Sequence, residues 1–372
     1  MMIKILKKIP QIEPSLGEEE KKELLSVIDS GWFTEAKKTR QFESMFAEFV
    51  GSKYAIAVTS GAAALYIGLK ALGIGAGDEV IVPDLTFVAS PNSIEMTGAK
   101  PVLVDVESRT LNLDLTKLES LLTKKTRAIM PVDLNGRTTD MKKLREFAKK
   151  NNLYLIEDAA QAIGSTYDNK HIGNFSDVAC FSFSTPKIVT TGQGGMITTN
   201  NKKIFQKCWE IKDFGRHLGD KRKNIFDHKT IGYNFKFTEF QAAVGIAQMK
   251  KLKQRIAKKK MIFQKYIDML SHIGDIEFID TNIKNETIWS ADILLRSKIQ
   301  RSRLIDFLNK KNIETRIFFP PIHRLKPYKQ SDFKFKVTCN VSERGLFLPS
   351  SVTLNHDQLN FIGKQINQFF NQ

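Results

Sequence analysis

Ser182-Phe-Ser-Thr-Pro-Lys187-Ile-Val-Thr-Thr-Gly192-Gln-Gly194-Gly195 sets one lysine just past a short apolar run, Val178 to Phe183, and just before a glycine-rich turn. Upstream, the run Leu153 to Glu157 stops at Asp158. Short runs that are apolar on both faces predict strands buried in a parallel sheet. Similar runs occur at Tyr54 to Val58, Glu79 to Val82, Pro101 to Val104, Ala128 to Val132 and Met196 to Thr199, with helical stretches such as Met141 to Lys150 between them. The alternation predicts an α/β fold, a mostly parallel central sheet sandwiched by helices. Ligands of such sheets bind outside the carboxyl ends of the strands, where Asp158 and Lys187 both fall.

Punctuation divides the rest of the chain. Ser15-Leu-Gly-Glu18 reads as a capping box opening a helix with Leu24, Val27 and Ile28 on one face, closed at Ser30-Gly31. Ser60-Gly61 turns into a helix carrying Leu65, Gly68, Leu69 and Leu72, closed by Gly73. Thr238-Glu-Phe-Gln241 is a second capping box, before Phe240, Ala243, Val244 and Ala247. The lysine-rich stretch 250–260 then bridges to a region with a strand near Ile288 to Leu295, a helix near Arg301 to Asn309, the loop Phe318-Phe-Pro-Pro-Ile-His323 and a last helix after Asn355. The division predicted is a large α/β domain over 1–250, with an N-terminal arm, and a smaller α+β domain over 251–372.

With 372 residues, 42% hydrophobic and 26 of them Phe, the chain has material for two packed cores. No apolar run reaches membrane-spanning length, and Met1 to Lys8 has basic residues without the apolar stretch of a signal peptide. Cys180, Cys208 and Cys339 have no metal or disulfide spacing, which suits a reducing cytoplasm. The net charge of +17 gathers at Lys250 to Lys260 and at Lys221, Arg222 and Lys223. It fits an anionic small substrate or a solvated helix face; with no zinc-finger or RNA-recognition spacing, no nucleic-acid partner is expected.

A lysine that meets an acid across a pocket is what pyridoxal 5'-phosphate (PLP) chemistry requires. The amine binds the aldehyde as a Schiff base, and a carboxylate keeps the pyridine nitrogen protonated. Gln161, three residues past Asp158, can hydrogen-bond the ring or its phenolic oxygen. Thr59-Ser60-Gly61-Ala62 puts small residues at a helix start, where free N–H groups and the helix dipole favour a phosphate. Gly192-Gln-Gly-Gly195 fits neither the P-loop nor the dinucleotide fingerprint.

In order and combination, these fragments resemble the DegT/DnrJ/EryC1/StrS family of fold type I PLP enzymes, the nucleotide-sugar aminotransferases. The resemblance runs from Ser30-Gly-Trp-Phe-Thr34 through Thr59-Ser-Gly-Ala-Ala-Ala-Leu65, Gly77-Asp-Glu-Val-Ile-Val-Pro83, Glu157-Asp-Ala-Ala-Gln161 and Phe181-Ser-Phe183 with Lys187. It continues through Gly232-Tyr-Asn-Phe-Lys-Phe-Thr-Glu-Phe-Gln-Ala-Ala243 to Thr315-Arg316 and Pro320-Pro-Ile-His323. It implies that Lys187 carries the cofactor, that Asp158 holds its ring nitrogen with Gln161 alongside, and that Phe87 stacks on the ring. Ser60, Gly61, Ala62 and Ser182 are implied to hold the phosphate, with Asn234 reaching the phosphate in the neighbouring subunit of a homodimer with shared sites. Trp32, Arg316 and His323 are implied to lie near the substrate.

By the same resemblance the amino donor is L-glutamate, leaving 2-oxoglutarate, and the acceptor is a keto sugar, 4-keto-6-deoxy in type, on a nucleoside diphosphate. No metal is expected. Glu35-Ala36 replaces the Gly-Pro common after Gly-Trp-x-Thr, Ala62 stands where threonine is frequent, and Lys236 stands where arginine is common. A PLP-dependent sugar dehydratase of the same family carries histidine in place of the lysine, so Lys187 speaks against it. A non-catalytic regulator or nucleic-acid binder is suggested only by the charge.

Overall fold

The computed structural model describes residues 8–219 and 227–371. The basic cluster Lys221, Arg222 and Lys223 lies outside them. The first sheet is built from β1 (Tyr54–Val58), β2 (Glu79–Pro83), β3 (Lys100–Val104), β4 (Thr126–Ile129), β5 (Tyr154–Asp158), β8 (Val178–Ser182) and β9 (Gly195–Thr199). A small hairpin, β6 (Thr166–Tyr167) and β7 (Lys170–His171), intervenes. The strand order is β1-β9-β8-β5-β4-β2-β3, and only β9 runs against its neighbours. Because β1 opposes β9, it runs the same way as β8 and β5. The carboxyl ends of β1, β2, β5 and β8 therefore share one edge.

Alternate residues of β8 serve opposite faces, as a two-residue period dictates. Ala179 and Phe181 join Phe42, Phe46, Phe183 and Phe237 in one core, while Val178 and Cys180 join Ile56, Leu65, Leu69 and Ile197 in the other. Burying each Phe contributes roughly 1.5–3 kcal/mol. The helix Gly61–Ala71 lies close on the second face because Gly68 has no side chain. A Cβ there would meet Ile156 Cδ1 and Val178 Cγ1 at 2.9 Å.

Helices Glu239–Lys250 and Leu252–Leu270 lead to a second, antiparallel sheet: β10 (Ile276–Phe278), β11 (Asp292–Leu295), β12 (Arg316–Ile317) and β13 (Gly345–Phe347), in the order β10-β11-β13-β12. Helices Leu252–Leu270, Lys298–Asn309 and His356–Phe370 complete its core. The N-terminal segment joins this second unit. Ile9 bridges Ile313, and Gln11 donates to Ser290 Oγ at 2.6 Å. The two sheets are tied by a fully buried ion pair, Arg137 after β4 with Asp292 of β11, both oxygens at 2.7 Å.

Two local expectations change. The first helix begins at Glu18, and Gly17 rather than Ser15 is its cap: the Gly17 N–H donates to Glu20 at 2.7 Å. Ser15 instead gives its carbonyl to Gln248 and Arg255. The basic run 250–260 is partly spent on internal partners: Lys251 pairs with Glu19 and Glu20, and the buried Arg255 and Lys259 bond backbone carbonyls, while Lys250, paired with Glu23, and Lys253 stay exposed. The Thr238–Gln241 box forms as expected, and Gly31 closes the first helix at φ 64°.

Candidate active site

A cavity of about 260 Å³ opens at the carboxyl edge of the first sheet. It brings together Ser60, Gly61, Ala62, Phe87, Asp158, Gln161, Ser182, Lys187 and Arg316. The floor comes from strand ends: Asp158 closes β5 and Ser182 closes β8, and Lys187 follows in a turn where its N–H donates to Ser184 O. One wall is the start of the helix Gly61–Ala71, capped by Ser60, whose hydroxyl accepts from Ala63 N at 3.1 Å. The rim comes from the second sheet, through Arg316 on β12 and Phe319 beyond it.

Asp158 is buried. It accepts from Ser90 Oγ at 2.7 Å and from the Ala160 amide at 3.2 Å. Burial pushes its carboxyl above the ordinary range, and the Ser90 and Ala160 bonds and the nearby Lys187 pull it part of the way back. Burial also brings the Lys187 ammonium down to about 8, helped by Arg316 and opposed by Asp158. Its Nζ lies over the Trp289 ring, 4.4 Å from the centroid. Gln161 turns its Oε1 to the Asn135 amide at 2.9 Å. Phe87 stands half exposed over the cavity, tilted against Phe319 at 5.8 Å.

The space beside Gly61 suits an anionic group. A Cβ on Gly61 would sit 2.9 Å from Ser182 Cβ and 3.2 Å from its Oγ, so only glycine lets the helix start pack this close to the end of β8 and that hydroxyl. First-turn amides and the hydroxyls of Ser182 and Ser184 surround this space. Together with an amine, a carboxylate and an exposed ring, this donor set fits PLP.

Three expected residues lie elsewhere. Trp32 lines a separate cavity of about 780 Å³ with Arg40, Trp209 and Leu218. Asn234 is exposed, its backbone bridging Asp213. His323, expected near the substrate, is fully buried: its ring nitrogens face Asp84 at 2.6 Å and Asp332 at 2.8 Å, and Phe335 stacks on it at 4.4 Å. The physical reason is Asp84, a buried carboxylate at the end of β2 that requires a partner. The pair ties the Phe319 loop to the first sheet. Cys339 Sγ lies 3.7 Å from the same ring, but Arg324 already bonds both oxygens of Asp332.

Residue patterns did not point to Ser90, Trp289 or Phe319. Trp289 and Phe319 reach the cavity, and Ser90 reaches Asp158, through tertiary packing, and none stands in a spacing that distinguishes it from core.

The comparisons agree with this geometry. The model of the DegT/DnrJ/EryC1/StrS aminotransferase family matches residues 14–367. A GDP-perosamine synthase of Escherichia coli O157:H7 is 38% identical over 366 residues, covering 98% of this chain and 99% of that protein. Among solved structures, Helicobacter pylori PseC, an aminotransferase involved in the biosynthesis of pseudoaminic acid, superposes with a TM-score of 0.91 at 27% identity, covering 98% of this chain and all of that one. The putative sugar aminotransferase Spr1654 of Streptococcus pneumoniae, in its PMP form, gives 0.90 at 25% identity over 98% and 99%. With a fold type I architecture and a cavity suited to PLP, the chain belongs to the DegT/DnrJ/EryC1/StrS aminotransferase family.

Proposed function

We propose that this aminotransferase moves an amino group from L-glutamate to a keto sugar carried on a nucleoside diphosphate, in amino-sugar biosynthesis for a surface polysaccharide. The observation that carries the reading is Lys187 and Asp158 lining one cavity, together with a helix start at Ser60-Gly61 that glycine lets pack directly against Ser182. When bound, PLP supplies the electron sink and the carrier of the amino group. Lys187 holds the cofactor and, once freed, takes a proton from the donor's α-carbon and returns one to the acceptor in the second half-reaction. An amine brought down to about 8 exchanges protons near neutral pH far more readily than a solvated lysine.

Asp158, made more basic by burial, accepts the ring N–H, and Ser90 and Ala160 fix its orientation. Gln161 lies alongside. Phe87 covers the ring and, with Phe319, keeps water from it. Ser60, Gly61, Ala62 and Ser182 receive the phosphate. Arg316 at the rim supplies a cation for an anionic substrate.

The same reading makes the enzyme a cytoplasmic homodimer with shared sites. Trp32, Leu218, Ile231 and Tyr233 are exposed apolar residues, the last two just ahead of Asn234 in sequence, as a covered face would have. Asn234 then reaches the partner's phosphate site, and Trp32 the partner's substrate. The cofactor-binding domain is 1–250, with the described part of its N-terminal arm laid on the smaller domain, 251–372. No helix among the described residues is long and apolar enough to cross a membrane.

The pyridoxamine form, mixed with a panel of keto sugar nucleotides, tests the reading by absorbance. Return of the PLP band with at least one 4-keto-6-deoxy sugar nucleotide is expected. A response to 2-oxo acids alone, with none from any sugar nucleotide, contradicts the substrate class.

A further inference from the structure

Trp289 enters the cavity from the segment that leads into β11 and is held from three sides. Its indole Nε1 donates to the carbonyl of Pro186, the residue immediately before Lys187, at 2.7 Å. Its own carbonyl accepts from Lys259 Nζ at 2.6 Å, and its amide donates to Asn135 O at 3.3 Å. The next residue, Ser290, exchanges two further bonds with the Asn135 side chain, at 2.9 and 2.7 Å. The indole face thus stands fixed 4.4 Å from the Lys187 nitrogen.

Lys259 is the costly part of this arrangement. Its ammonium is buried, bonds only the carbonyls of Trp289 and Ser350 (each 2.6 Å), and pairs with no carboxylate among the described residues. Burial brings it down to about 7. A charge in a core is unfavourable unless it is paired or hydrogen-bonded, and Lys259 has only these two carbonyls. Its bonds tie the backbone of Trp289 to that of Ser350.

We infer that Trp289 is the seat of the catalytic amine: its indole face keeps the Lys187 nitrogen aligned whenever that nitrogen is free of the cofactor, and Lys259 positions the indole. A carboxylate at hydrogen-bond range would lock the ammonium in its charged form. An aromatic face attracts it more weakly and offers no acceptor, so the amine can leave and return. The charged groups acting on Lys187 are Asp158 and Arg316, and they oppose each other. Trp289 adds an uncharged contact, its ring 4.4 Å from the amine.

The inference rests on the reading of Lys187 as the proton-moving base, and its test separates the two. In cofactor-free protein, the pH dependence of Lys187 acylation, located by peptide mapping, reports its titration directly. Replacing Trp289 removes the ring's stabilisation of the ammonium. The midpoint is therefore expected to move down by roughly half to one pH unit in Trp289→Leu and by less in Trp289→Phe, which retains a weaker ring. In the holoenzyme, kcat is expected to fall about ten- to a hundredfold for the Leu variant, as a misaligned base does, with KM for the sugar nucleotide within about threefold.

Lys259→Met should lower the midpoint too, and should add nothing further in the double variant with Trp289→Leu, which has no ring left to position. A midpoint that stays or rises in both Trp289 variants, with kcat at the parent's level, overturns the seat. Additive shifts overturn the part of Lys259. If the parent holoenzyme itself does not transaminate, the functional reading has failed, while the acylation result still stands for or against the seat.

Discussion

Lys187 shows how far a single residue can be read. Its sequence context, a lysine between an apolar strand and a glycine-rich turn, identified the amine but not what surrounds it. Its partner Asp158 was legible because an acid ending a buried strand stands out against apolar neighbours. The Trp289 ring was not, since an aromatic after Ile288 is indistinguishable from core until packing turns it toward the cavity. His323 fails in the opposite sense: its motif resembles a substrate contact, but the buried Asp84 claims its ring.

Burial of Lys187 has a pH consequence. The folded chain holds this amine at about 8, below its value in the unfolded chain, so between about pH 8 and 10 the unfolded state binds more protons and stability rises with pH. Thermal melts of cofactor-free protein across that window should show the parent gaining on Lys187→Met as pH increases. Parallel curves would contradict the burial.

At the scale of elements, the strands of the first sheet were legible to within three residues from their apolar runs. The reversed direction of β9 was not, because direction leaves no mark on a run of five residues. In the second sheet β12 has two residues and β10 and β13 three each, too short to show a period of two, so only β11 was anticipated. The helix Gly61–Ala71 carries the prediction proper to this scale. In Gly61→Ala the new Cβ would meet Ser182 Cβ at 2.9 Å, so the helix start must move away from the end of β8 and carry its first-turn amides with it. PLP affinity, titrated by fluorescence quenching, is expected to weaken about tenfold or more, equivalent to about 1.4 kcal/mol. Unchanged affinity would place the phosphate elsewhere.

For the whole molecule, the second unit supplies Trp289, Arg316 and Phe319 to a cavity floored by the first, and the Arg137–Asp292 pair holds the two together. A partner subunit is the remaining contributor in the proposed function. Lys187→Ala and Asn234→Ala subunits damage different sites, so co-refolding them in equal amounts should build hybrids with one undamaged site. If both homodimers are inactive, about a quarter of parental activity should return. No recovery, with hybrids shown to form, would mean that each subunit is complete by itself.

The central claim is that strands, helix start and second sheet converge on one amine. Borohydride reduction of the PLP-loaded protein, followed by proteolysis and mass spectrometry, tests it most directly. The phosphopyridoxyl group is expected on the peptide carrying Lys187 and on no other. Its appearance on another lysine, such as Lys212, Lys236 or Lys259, or on none, would contradict the account.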